Sequence, residues 1–94
     1  MYARLATFQG DPGNFDDAIA AVREQVNGTP PPGLEGAKFL MLVDRTTGKG
    51  HGLTLYATEE DRRRGDEALN AHPGGGGGTR VSVEFFDVPV HTLD

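Results

Sequence analysis

Three charged or titratable side chains are the candidates for chemistry in this sequence, although none belongs to a recognisable catalytic set. Arg4 lies in the first predicted strand, where a guanidinium could stabilise an anionic ligand. Glu84 lies among apolar residues of the last predicted strand, where a carboxylate becomes a stronger base. An ion pair between Glu84 and an arginine at a subunit boundary is the more ordinary interpretation. His51 is the third weak candidate.

Aromatic residues of the predicted strands indicate where a ligand would lie. Aromatic walls with one cation and one carboxylate could hold a planar, oxygen-rich small molecule. The same residues could equally be the apolar packing of a dimer. The predicted ligand-binding residues are Tyr2, Arg4, Phe8, Tyr56 and Phe86.

The histidines and the glycine run do not predict a metal or phosphate site. His51, His72 and His91 lie far apart and form no pair at ligand spacing, so we expect no metal and no other cofactor. The five glycines of residues 74–78 precede a predicted strand. A phosphate-binding loop would instead open a helix, so we interpret this run as a flexible loop that could border a pocket.

Composition narrows the class of protein. The 94 residues suffice for one domain and not for two, and we assign the whole chain, 1–94, to it. The absence of cysteine excludes disulfides and thiolate metal sites, and no apolar run is long enough to span a membrane. A net charge of −5 disfavours nucleic acid as a partner. We therefore expect a cytoplasmic protein that binds neither nucleic acid nor membrane.

One basic cluster, Arg62–Arg64, directly follows the acidic run Glu59–Asp61. At helical spacing such charges pair along one surface of a helix. We interpret the cluster as a solvated helix face, and a grip for an anion or a phosphate is the alternative.

Hydrophobic periodicity predicts the element order β-α-β-β-α-β, which is the ferredoxin-like α+β pattern. Such a domain has a four-stranded antiparallel sheet with both helices on one face. Asn14 and Thr58 are predicted N-caps, Gly28 a left-handed C-cap, and Gly48 a hairpin glycine with positive φ. The predicted strands cover residues 2–8, 37–44, 51–57 and 79–90, and the predicted helices cover 15–26 and 58–71.

The strand pattern also predicts self-association. In strand 37–44, Phe39, Met41 and Val43 alternate with Leu40 and Leu42, so both faces are apolar. A sheet face in contact with water should instead be polar. A contiguous apolar patch of this size rarely stays exposed, so we expect two copies to pack through their sheets as a homodimer.

Four segments carry a resemblance to a known family: MYARLATFQG, FLMLVDRTTGKG, LTLYATEED and RVSVEFFDVPV. They resemble the antibiotic biosynthesis monooxygenase-like group of the dimeric α/β-barrel superfamily, and the resemblance covers nearly the whole chain. It implies a ferredoxin-like fold in which two chains form one barrel. Relatives include cofactor-independent quinone-forming monooxygenases, haem-degrading monooxygenases and many small proteins of other roles.

Two functional hypotheses follow, the first from the resemblance and the second from the absence of Trp, Cys and a recognised catalytic set. In the first, the chain is a homodimeric small-molecule-binding protein and a candidate cofactor-independent monooxygenase of an aromatic or polyphenolic substrate, with Arg4 stabilising the substrate anion. The alternative is a non-catalytic structural or stress-related dimer whose barrel is filled by side chains. The haem-degrading relatives rely on Asn, Trp and His. This chain has no Trp, so that role is not carried over to His72.

Overall fold

The element order and fold class predicted from the sequence are confirmed. The computed structural model describes residues 1–71 and 78–93. Strand β1 is followed by a short 3₁₀ turn and helix α1, then by the hairpin of β2 and β3, helix α2 and strand β4. Their bounds are β1 Tyr2–Gln9, the 3₁₀ turn Pro12–Asn14, α1 Phe15–Asn27, β2 Lys38–Val43, β3 Lys49–Tyr56, α2 Glu59–Ala71 and β4 Thr79–Asp87.

The four strands form one antiparallel sheet in the order β2-β3-β1-β4. Strand β1 is central and pairs with β3 on one side and with β4 on the other. Its pairing with β4 is irregular between Thr7 and Phe8. Both helices pack on one side, which we call the helix-side face, and we call the opposite side the outer face. On β1 the helix-side residues are Tyr2, Arg4, Ala6 and Phe8, as the alternation predicted.

Helix α1 packs through a short apolar stripe of Phe15, Ala18 and Val22, all buried. The ring of Phe15 lies over Gly50 of β3, where a Cβ would stand 3.5 Å from the ring. A Cβ at Gly52 would likewise stand 3.5 Å from the ring of Phe39. These glycines leave room on the sheet for two aromatic rings. Phe15 is buried, which stabilises the fold by about 1.5–3 kcal/mol, whereas Phe39 stays 41% exposed.

Helix α2 begins as predicted, because the Thr58 hydroxyl accepts a hydrogen bond of 3.0 Å from the Asp61 N–H. The basic cluster Arg62–Arg64 divides into two parts. Arg63 and Arg64 are exposed and paired with acidic residues of the same helix, which confirms a solvated face there. Arg62 lies 3.7 Å from Glu59 of the same helix and also 5.3 Å from the ring centroids of both Tyr2 and Phe85. It therefore joins α2 to the sheet through cation–π contacts.

Two of the predicted helix ends differ in the structure. Asn14 precedes α1 but its side chain makes no capping hydrogen bond, while Asp11 accepts one of 2.9 Å from Gly13 at the 3₁₀ turn. Gly28 ends α1 in an extended conformation, with φ −89° and ψ −170°, so the left-handed cap was a wrong prediction. Gly48 has φ +81°, as predicted for the hairpin. A Cβ at that glycine would also overlap the Gly10 carbonyl.

The connector between α1 and β2, residues 28–37, folds back over α2. Its turns are closed by hydrogen bonds from Leu34 N–H to Pro31 O and from Ala37 N–H to Leu34 O. Gly33 has φ +94°, and a Cβ there would lie 3.1 Å from both the Arg64 carbonyl and the Ala68 side chain. The connector of one half of the chain therefore bears on the helix of the other half.

The outer face is largely apolar. In the isolated chain Leu40, Leu42 and Phe86 are 38%, 44% and 45% exposed. The strand registers place Leu5 and Leu53 beside them. The polar residues of this face include the row of His51, Thr7 and Ser82, and Glu84, which is paired with Leu5.

Candidate functional site

A cleft of about 1170 Å³ lies between the helix-side face, the two helices and the 28–37 connector. Gly50 and Gly52 of β3 have no side chains to fill the floor of the cleft, and the connector forms one of its walls. Most of its surface is apolar. The apolar lining residues include Phe8, Val22, Leu34, Phe39, Met41 and Leu69.

Arg4 is the buried cation of this cleft, with 3% of its surface exposed. Its Nε donates a hydrogen bond of 2.7 Å to Asp66 Oδ1, and its Nη2 donates one of 3.1 Å to Asn70 Oδ1. Because β1 is central, the backbone of Arg4 is held between two strands. The paired backbone, the two hydrogen bonds and the ion pair with Asp66 together fix the position of the guanidinium.

Asn70 connects Arg4 to a second cation. Its Oδ1 also accepts a hydrogen bond of 2.7 Å from Nη1 of Arg80, at the start of β4. Both arginines line the cleft, and Asp66 is the carboxylate that pairs with Arg4. Within the described part of the chain, no carboxylate forms an ion pair with Arg80. The cluster of Arg4, Asp66, Asn70 and Arg80, which we call the arginine cluster, thus has one net positive charge.

The structure brings some of the sequence candidates together and separates others. Arg4 and Phe8 both line the cleft. Tyr2 lies beside them on the helix-side face but contacts Arg62. Glu84 pairs in register with Leu5, and Phe86 with Ala3, so both lie on the outer face.

The positions of Glu84 and His51 bear on the catalytic hypothesis. Glu84 cannot act on a ligand beside Arg4 within the same chain, since the sheet lies between them. His51 borders the cleft, but the register places its ring on the outer face, where Nδ1 lies 3.1 Å from Thr7 Oγ1. Binding and catalytic roles for these residues stay predictions.

Tyr56 lies under α2 rather than in the lining of the cleft. Its ring packs against Gly65, where a Cβ would overlap the hydroxyl. The hydroxyl is buried and has no hydrogen-bond partner among the described residues. Burial raises the pKa of Tyr56 above its ordinary value of 10.0, because the phenolate would lose its hydration.

Three residues of the arginine cluster are missed by sequence reasoning. Asp66 and Asn70 are separated from Arg4 by 62 and 66 positions, so no local spacing connects them. A weak signal was present, because the two lie four residues apart on α2 and alternate with the small or apolar Gly65, Ala68 and Leu69. Arg80 carried no signal apart from its position after the glycine run.

Residues 1–71 and 78–93 contain no group of three or more His, Asp or Glu side chains that could hold a metal ion. The expectation of no metal and no cofactor stays a prediction. His72 and residues 74–77 of the glycine run lie outside the described residues. No helix in the described part of the chain is long and apolar enough to cross a membrane.

Comparison with protein-family models and with curated protein sequences finds no match. Solved structures do match. A crystal structure of a proposed antibiotic biosynthesis monooxygenase from Chloroflexus aurantiacus J-10-fl has a TM-score of 0.58 at 15% identity, covering 99% of this chain and 96% of the other. A second, from Caulobacter crescentus CB15, has a TM-score of 0.53 at 19% identity, covering 93% and 88%.

These similarities define the class of fold. At such low identity they show the architecture and not the activity. The chain has the ferredoxin-like α+β fold of these structures, as the resemblance of its sequence implied.

Proposed function

We propose that this chain is a homodimeric small-molecule-binding protein and a candidate cofactor-independent monooxygenase of an aromatic or polyphenolic substrate. The observation that carries the proposal is the buried guanidinium of Arg4 beside an apolar cleft of about 1170 Å³. A cleft of this size accommodates a ligand of drug-like dimensions. Apolar walls with a few fixed polar groups are the usual composition of such sites.

The chemistry follows from the position of the cation. Aromatic rings would pack against Phe8, Phe39 and Met41, and a phenolic oxygen would point to Arg4. In a cofactor-free oxygenation the substrate loses a proton, and its anion donates electrons to O₂. One oxygen atom enters the product and the other leaves as water. Arg4 would stabilise the substrate anion in a site where few water molecules screen the charge.

The homodimer is supported by the outer face. Leu40, Leu42 and Phe86 are each more than a third exposed and lie on one surface of the sheet. Removing apolar surface from water stabilises an association by about 25 cal/mol per Å², before the cost of association is subtracted. A second copy packed sheet to sheet covers this patch with an equally apolar surface.

Three measurements on one sample test the proposal. Sedimentation equilibrium should give twice the chain mass. Titration with polyphenols should shift the amide resonances of residues that border the cleft. An oxygen electrode should record uptake with a panel of dihydroxyaromatic substrates above the rate without protein. A monomeric mass contradicts the homodimer, unshifted spectra contradict the binding proposal, and binding without oxygen uptake contradicts catalysis alone.

The alternative is a non-catalytic dimer with a filled barrel, and one observation favours it. Asp66 already neutralises Arg4 at 2.7 Å, as in a structural ion pair. The two hypotheses differ in the effect of Arg4→Lys. In an oxygenase, this change should reduce oxygen uptake more than it weakens polyphenol binding. In a structural dimer it should change the stability alone.

A further inference from the structure

We propose that the cleft binds a ligand with an apolar or aromatic body and one carboxylate group, which lies between the guanidinium groups of Arg4 and Arg80. The inference rests on the proposed role of the cleft as a binding site, and it specifies the chemical class of the ligand. The anchoring group is the arginine cluster, which sequence reasoning did not identify.

The hydrogen bonds of the cluster show a position suited to an anionic oxygen. Two guanidinium groups donate to the same atom, Asn70 Oδ1, at 3.1 Å and 2.7 Å. That atom belongs to a neutral amide. A carboxylate oxygen adds an ionic attraction to both cationic donors, which a neutral amide oxygen does not offer. An anionic ligand that reaches this point therefore forms stronger bonds than Asn70 does.

The charges of the cluster favour the same class of ligand. Asp66 bonds to Nε of Arg4 and leaves other N–H groups of this guanidinium for further acceptors. Arg80 forms no ion pair within the described residues. One net positive charge thus remains at this end of the cleft. Among the described residues that line the cleft, the acidic residue is Glu24, which is exposed on α1.

The apolar neighbours define the rest of the ligand. Phe8 and Arg80 are paired in register across β1 and β4, and both residues line the cleft. Phe39 and Met41 continue the apolar surface along β2. A ligand with a planar ring next to its carboxylate matches this order. Burial of Arg4 keeps water from screening the ionic contact.

A matched pair of probes tests the inference. 2-Naphthoate and 2-naphthamide have the same ring system and differ in charge, and the amide resonances of the full-length chain report the binding of each. We expect 2-naphthoate to bind about tenfold more tightly, which is the effect of one charge-assisted hydrogen bond. Equal affinity for the two probes overturns the inference and leaves the proposed binding function standing. Binding of neither probe overturns the proposed function as well.

Two exposed residues of the cluster give the variants. Asn70→Asp places a carboxylate between the guanidinium groups. It should raise the melting temperature, weaken 2-naphthoate binding about tenfold, and leave 2-naphthamide binding unchanged.

Arg80→Gln should likewise weaken only 2-naphthoate binding. The control Arg45→Gln removes the same charge from the β2–β3 hairpin, far from the cleft, and should change neither affinity. If Arg45→Gln weakens 2-naphthoate binding as much as Arg80→Gln does, the effect comes from net charge and the inference is wrong.

Discussion

Gly65 of α2 lies directly against the phenol ring of Tyr56, so closely that any side chain at position 65 would overlap the ring. This contact sets the distance between α2 and the sheet. It also explains a glycine in the middle of a helix, where glycine normally destabilises by about 1 kcal/mol relative to alanine. Asp66, the ionic partner of Arg4, is the next residue. The depth of α2 therefore also fixes the carboxylate of the arginine cluster.

Gly65→Ala should destabilise the fold although it improves helix propensity. Overpacking of a buried contact costs about 1–3 kcal/mol, whereas alanine gains about 1 kcal/mol of helix propensity over glycine. The contact with the Tyr56 ring is close, so we expect a cost in the upper part of the first range. Chemical denaturation at one protein concentration measures the change. Ala20→Gly, at an exposed position of α1, gives the propensity effect in this protein. A more stable Gly65→Ala variant would show that α2 can move away from Tyr56.

Tyr56→Phe should be neutral or stabilising by up to about 1 kcal/mol at pH 7, because it removes a buried hydroxyl that has no partner among the described residues.

The raised pKa of Tyr56 also predicts that the stability of the fold depends on pH. The unfolded chain loses this proton near pH 10 and the folded chain only at higher pH, so stability falls as the pH rises above 10. Denaturation between pH 8 and pH 11.5 should show a smaller decline in Tyr56→Phe. Parallel declines would contradict the assignment to Tyr56.

Asp66→Asn should destabilise the protein by about 2–3 kcal/mol, because it leaves the 3%-exposed Arg4 without its carboxylate. Asp16→Asn removes a carboxylate from the exposed pair with Arg45 and should cost less than about 0.5 kcal/mol. Thermal and chemical denaturation of both variants give the comparison. Similar losses in the two variants would indicate that water reaches Arg4 freely.

Leu40→Glu should convert the protein to a monomer without unfolding it. The side chain is 38% exposed in the isolated chain, so a carboxylate is tolerated there, but a second sheet packed on it would bury the charge. We expect the dissociation constant of the dimer to rise roughly a hundredfold, since a twofold interface contains the substitution twice. Sedimentation velocity and circular dichroism measure mass and folding. Ala20→Glu, on the helix layer, should remain a dimer.

Much of the fold was predictable because its signals are local. The alternation of Phe39, Met41 and Val43 with Leu40 and Leu42 assigned both faces of β2, and the register confirms that assignment. Thr58 was recognisable as a cap from its own position. Gly28 was not predictable in its conformation. Its extended backbone depends on the direction in which the connector leaves α1.

The candidate site was predictable only in part. Strand alternation predicts that Arg4 and Phe8 share a face, and the structure shows that this face is the one under the helices. Alternation shows which residues of one strand share a face, but it does not show which face of a second strand lies on the same side of the sheet. Glu84 and Phe86 were therefore grouped with Arg4 and Phe8, although they lie on the opposite side. Asp66 and Asn70 meet Arg4 only through the packing of α2, which depends on the contact of Gly65 with Tyr56.

The connector of residues 28–37 lies against α2, the helix that carries both hydrogen-bond partners of Arg4. Gly33 lies beside the Arg64 carbonyl and the Ala68 side chain of α2, and Ala68 stands between Asp66 and Asn70, the two partners of Arg4. A side chain at position 33 would press on α2, so this glycine keeps one wall of the cleft close to the helix that presents Asp66 and Asn70 to Arg4.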